Sequence, residues 1–229
     1  MTLEQIMFAL QKAGTAKNRK IYARHGVGED MIGVSFTNLK ALAERIKTDH
    51  ALAQQLWKTG THDARVLATM LADSNAVTSG LLDRWAKNLD NHVIADLFSA
   101  FVGRTQHAKA KAEKWLKSKN EWIGAVAWNL VAGIAMNSTD LPDRYFEGKL
   151  KTIETHIHSA KNRVRYSMNQ ALIGIGIRNK KLGTVATATA HRIGKVVVDH
   201  GKTGCKTPDA VEYIEKTLAY RKKRRSGRR

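Results

Sequence analysis

One carboxylate stands out among the residues that could do chemistry. Asp96 lies in the middle of the apolar run His92-Val93-Ile94-Ala95-Asp96-Leu97-Phe98-Ser99-Ala100-Phe101-Val102. A carboxylate among such neighbours must find a partner, lie at a groove edge or act on a ligand. Spacing alone leaves the plainer reading open, in which it points to solvent or pairs with a nearby lysine. His92 precedes it by four residues and so shares its helix face. Asp199-His200-Gly201-Lys202-Thr203-Gly204-Cys205-Lys206 is a second constellation. Its glycines, lysines and hydroxyl could hold a backbone phosphate through N–H groups, and an ordinary connection fits equally. The full phosphate-loop pattern fails because Val196 stands where a glycine is required. Cys205 would need a base to become a nucleophile, and His200 is the only near candidate. His156 and His158 fall on different helix faces with no ligand-spaced companion, so no metal is expected. The five tryptophans read as core more readily than as stacking platforms. Trp115, Trp122 and Trp128 are the ones whose exposure decides.

The elements that must position these residues read as helices. Asp90 or Asn91 can cap the helix of Asp96, and Gly103 stops it. Val93, Leu97 and Ala100 share one apolar face, widened by Ile94, Phe98 and Phe101. Before it, the spacing predicts helices over Leu3 to Ala13, Ala16 to Arg24, Ser35 (as cap) to about Thr48, and His50 to Trp57. A Thr61-capped helix and another over Ala76 to Leu89 follow. After it come Gln106 to Lys117, basic outside, then the nearly all-apolar Asn120 to Met136. Leu141 to Ile157, Asn162 to Ile177, Lys180 to Gly194 and Asp209 to Tyr220 complete the set. Val196-Val197-Val198 is too short to found a sheet. Three helix-turn-helix segments, around Trp57 to Leu71, Trp115 to Leu130 and Ile157 to Leu172, look alike at irregular spacing. They point to helical hairpins stacked as HEAT-like repeats.

Composition narrows the partners. The formal net charge is +19, with lysine and arginine spread along all 229 residues. Such an excess attracts a polyanion, nucleic acid first and an anionic membrane surface second. No apolar run approaches the roughly 18 residues that span a bilayer. The first dozen residues are amphipathic, without a signal-peptide core. A single cysteine fits a reducing compartment.

Several blocks resemble those of the DNA alkylation repair family, the HEAT-like-repeat DNA glycosylases. They are Gly33-Val34-Ser35-Phe36-Thr37-Asn38-Leu39-Lys40-Ala41-Leu42-Ala43, His62-Asp63-Ala64-Arg65-Val66-Leu67-Ala68, the helix of Asp96, Asn120-Glu121-Trp122, and Val164 to Gly176. Their order covers most of residues 1–195. The resemblance implies an all-α, right-handed superhelix of HEAT-like hairpins, C-shaped with a basic concave face that clamps duplex DNA. It implies excision of cationic alkylated purines such as 3-methyladenine and 7-methylguanine, with Asp96 as the catalytic carboxylate. As the glycosidic bond breaks, a carboxylate there stabilises the oxocarbenium-like sugar and positions water. No metal or organic cofactor is required. The chain departs from the pattern in three places. His92 stands at the catalytic-helix tryptophan, Gln170 near the second lesion-flanking tryptophan, and Ala125 at the phosphate-clamping arginine. Trp122, Trp128, Arg163, Arg165 and Tyr166 are candidate substitutes, and the family also contains DNA binders without glycosylase activity. On this reading Asn120, Trp122, Arg163, Arg165, Tyr166, Gln170, Lys202 and Lys206 contact DNA, and His92 joins Asp96 as the catalytic pair beside the lesion. Residues 1–220 form one domain, and 221–229 form a disordered basic tail. The expected partner is double-stranded DNA with alkylated bases, met by a monomer in the cytoplasm, associated with the nucleoid.

Overall fold

The structure, a computed structural model, describes residues 1–226. Thirteen α-helices and no strand occur among the described residues. The chain divides into two compact units: residues 1–111 with 200–204, and residues 112–199 with 205–226.

The first unit holds α1 (Leu3–Ala13), α2 (Ala16–Arg24), α3 (Phe36–Ile46), α4 (His50–Lys58), α5 (His62–Leu71), α6 (Ser79–Ala86) and α7 (His92–Val102). Short polar side chains start most of them. Thr2 and Gln5 form a capping box on α1, and Ser35 accepts from the Asn38 N–H at the head of α3. Thr61 takes the N-cap position of α5 as expected, but its side chain makes no capping bond, and the His62 N–H donates to the Asp30 carbonyl at 2.8 Å. α6 is shorter than the expected Ala76 to Leu89, because Asp73 turns the chain before it and Thr78 caps it at Leu81. The core of this unit is aromatic. Trp57 and Trp85 stack at 4.3 Å and 2° between planes, and Phe98 of α7 packs 5.7 Å from Trp57.

α8 (Ala108–Trp115) is shorter than predicted and is not wholly basic outside. Lys111 is buried, with its Nζ 2.8 Å from the Asp83 carboxylate. The pairing partner lies 28 positions away, beyond any local pattern.

The second unit holds α9 (Glu121–Asn137), α10 (Asp143–His156), α11 (Asn162–Gly176), α12 (Lys180–Ile193) and α13 (Ala210–Ser226). Its centre is the crossing of α9 and α11. A Cβ added to Gly174 would lie 3.1 Å from both the Cα and the oxygen of Ala132, so the two backbones meet where neither side chain separates them. α13 runs past the expected end at Tyr220, through a stretch expected to be unstructured. No glycine or proline interrupts Ala210 to Ser226, and lysine and arginine both favour helix and its C-terminal dipole. Residues 227–229 of the expected tail lie outside the described residues.

Candidate functional site

The helix of Asp96 forms as its sequence dictates. Asn91, rather than Asp90, caps it, accepting from the Ile94 N–H at 3.1 Å, and the Asn91 amide donates back to Asp90 at 2.7 Å. The buried stripe is Ile94, Ala95, Phe98, Phe101 and Val102; Val93 and Leu97 are half-buried and Ala100 is exposed. The expected face was therefore off-centre. Asp96 follows Ile94 by two residues, about 200° around the helix, and this sets it on the exposed side. His92 is half-buried on the same side, its ring 5.6 Å from that of His25, the residue that ends α2. Asp96, His92, His25 and Lys202 all belong to the first unit, and Lys202 is exposed.

The block His62-Asp63-Ala64-Arg65 proves structural. Asp63 is fully buried and accepts from three consecutive backbone groups, the N–H of Ile32 at 2.7 Å, Gly33 at 3.2 Å and Val34 at 2.6 Å. His62 packs edge-on to Tyr22 at 5.1 Å, and burial, opposed by Asp63, holds its imidazole below the usual histidine range. The Tyr22 hydroxyl donates to the Val34 carbonyl at 2.6 Å; burial first, then Asp63, pushes that phenol up to about 12. Arg65 donates to the Asn88 carbonyl, pairs with Asp90 at 3.4 Å and lies over Trp57.

Asn120, Trp122, Arg163, Arg165, Tyr166, Gln170 and Lys206 all belong to the second unit. Asn120 is the cap of α9, accepting from the Trp122 and Ile123 N–H groups. Arg163 is buried, its guanidinium 4.5 Å from the Tyr166 ring. Arg165 donates to the carbonyls of Ile157, His158, Ala160 and Val197, so its fork closes the end of α10 and faces protein oxygens instead of the phosphate expected of it. Ala125 is buried, a place from which no longer side chain emerges without repacking. Gln170 and Trp122 are half-buried and Lys206 is exposed, while Trp115 and Trp128 are core, as are Trp57 and Trp85. His156 and His158 bond different carbonyls, those of Thr152 and Ile193. Cys205 is exposed. Among the described residues no group of three or more His, Cys, Asp or Glu side chains is placed to hold a metal, and no helix is long and apolar enough to cross a membrane.

Sequence reasoning missed Arg178. Its guanidinium lies over Phe146 at 4.6 Å and donates to the carbonyls of Ala135, Ser138 and Leu141, tying the end of α9 to the start of α10. It also missed His25 beside His92. A histidine just after a basic helix gave no signal of its partner 67 positions later.

Capped helices packed against one another define an all-α protein among the described residues, with the fold of the HEAT-like repeat proteins. The chain belongs to the family described as DNA alkylation repair enzyme, matched over residues 6–214. An uncharacterized protein of Listeria innocua is 30% identical over 227 residues, covering 94% of this chain and 97% of the relative. One of Listeria monocytogenes is 28% identical over 227 residues with the same coverage, 94% and 97%. A solved structure matches with a TM-score of 0.87 and 26% identity, over 96% of this chain and 95% of that one. It is described as a new family of proteins related to the HEAT-like repeat DNA glycosylases, with affinity for branched DNA structures.

Proposed function

We propose that this protein binds branched DNA and holds it without excising a base. The observation that carries the reading is the composition of the Asp96 face. The position one turn before Asp96 is an imidazole packed against a second imidazole, where the family resemblance calls for an indole. The second indole position holds the half-buried amide of Gln170. A cationic purine is recognised by the negative faces of aromatic rings. An amide offers none, and an imidazole loses the attraction whenever it is protonated. The affinity of the matched structure for branched DNA and the +19 charge of this chain support the same reading.

A second reading is favoured by the exposure of Asp96 on α7. In that reading its carboxylate stabilises the oxocarbenium-like deoxyribose as an alkylated purine departs. One pair of assays separates the two. Binding to a four-way junction and to a linear duplex of equal length is followed by anisotropy, and base release from methylated duplex is followed for wild type and Asp96→Asn. The binding reading expects at least tenfold preference for the junction and no release. Release that disappears in Asp96→Asn establishes the excision reading and overturns the first.

A further inference from the structure

α2 is a helix without a hydrophobic reason to exist. None of its nine residues is buried, and it contains four cations and no acid. A helix that short does not hold itself in water, so its position must be fixed by contacts. Those contacts lie on one side. The Thr15 N–H donates to the Gly33 carbonyl at 3.0 Å, and the Tyr22 hydroxyl reaches Val34. The backbone of Gly33, at φ +88°, comes so close that an added Cβ would lie 2.5 Å from the Cγ of Arg19. Asp63 in turn holds the N–H groups of residues 32 to 34. A buried carboxylate thus fixes a turn, and the turn fixes a polar helix.

The side left outward is ordered. Lys17, Lys20 and Arg24 fall within a sector of about 60° at 100° per residue, opposite Tyr22 and Arg19. All three are exposed, and among the described residues none of their side chains is given to an ion pair. They span about 10 Å of helix axis. That is the axial reach of about three phosphates along one strand of a duplex. The row continues beyond the helix. A Cβ added to Gly201 would lie 3.7 Å from the Arg24 carbonyl, and Lys202 follows it, exposed. At the same end His25 meets His92, one turn before Asp96.

We infer that Lys17, Lys20, Arg24 and Lys202 form a phosphate-binding row that seats one strand of DNA and leads it to the Asp96 face. The inference rests on the DNA-binding reading above and names the surface that performs it. DNA fits the row better than a membrane does. The exposed neighbours of the cations on α2 are Ala16 and Ala23, and the helix carries no Trp, Phe or Leu to enter a bilayer.

The test compares two variants that lose the same charge. One carries Lys17→Gln, Lys20→Gln, Arg24→Gln and Lys202→Gln. The other carries Lys58→Gln, Lys87→Gln, Lys151→Gln and Lys180→Gln, all exposed positions elsewhere. Junction affinity is measured from low to moderate salt, with circular dichroism to confirm the fold. Four lost phosphate contacts lower the slope of log affinity against log salt by about 3.6, at 0.9 per contact. The control variant is expected to keep the wild-type slope within about one. Equal losses in both variants, or a wild-type slope in the first, overturn the row while leaving DNA binding intact. A wild type without DNA affinity overturns both readings. Binding to anionic phosphatidylserine vesicles that the first variant loses, with its junction binding unchanged, assigns the row to a membrane and overturns the inference.

Discussion

Removing the carboxylate of Asp63 should unfasten α2 at a cost that can be worked from the structure. Three backbone N–H groups converge on it, and two of them, those of Gly33 and Val34, are in buried bonds. An unsatisfied buried donor costs about 1–3 kcal/mol, and a partly wetted one less. Asp63→Ala is therefore expected to destabilise the protein by about 5 kcal/mol, a large share of the roughly 5–15 kcal/mol that holds a domain. Asp63→Asn keeps one acceptor oxygen and should cost about half as much. The backbone should report the same device from the other side. Gly33→Ala places a Cβ 2.7 Å from the Thr15 oxygen and 2.9 Å from the Arg19 nitrogen at a φ of +88°, so it too must move the first turn of α2. Urea denaturation gives the free energies, and hydrogen exchange at Ile32, Gly33 and Val34 gives the location. A loss below about 1 kcal/mol in Asp63→Ala, or unchanged protection at those three amides, refutes the reasoning.

Burial holds His62 below the ordinary histidine range, so the unfolded chain binds its proton first as pH falls. Stability should then be complete above about pH 6.5 and decline below it, by at most about 1.4 kcal/mol per pH unit from this group; His62→Phe should flatten that part of a Tm-against-pH curve. Gly174→Val drives a branched side chain into the Ala132 backbone and should cost about 2–3 kcal/mol by urea titration, with the α9 and α11 amides losing protection first. Arg178→Met keeps the apolar contact with Phe146 but leaves three carbonyls without their donor, for an expected loss of about 2–3 kcal/mol; a variant as stable as wild type would mean that water replaces the guanidinium there.

Local signals in the sequence proved dependable where the interaction itself is local. Ser35 and Asn91 cap their helices as expected, because a capping side chain reaches only two or three residues ahead, while Thr61 takes the cap position of α5 without a side-chain bond. The face of α7 was harder to read. Val93, Leu97 and Ala100 and the set Ile94, Phe98 and Phe101 are both apolar rows. Asp96 itself arbitrates, since burying the second row turns the carboxylate outward. Lys111 could not be read as core, because its pairing with Asp83 depends on how two helices meet. The anchoring role of Asp63 was equally hidden, its three donors lying about 30 positions earlier on a loop with no regular pattern.

The arginines show why a family block and a charge count lead to different residues. Arg163 and Arg165 sit at the start of α11, close to the last turn of α10 and its carbonyls, which need donors. A guanidinium with five N–H groups within reach of such oxygens is captured by them, and Arg165 is held by four. Arg178 meets the same fate at the end of α9. The packed side of α2 is occupied by the Asp63-anchored turn, and Lys17, Lys20 and Arg24 are exposed on the opposite side. The residues free to meet a phosphate are thus found in the most polar helix of the first unit, where no motif pointed. Two residues of the family block, His62 and Asp63, fix the backbone on which that helix rests.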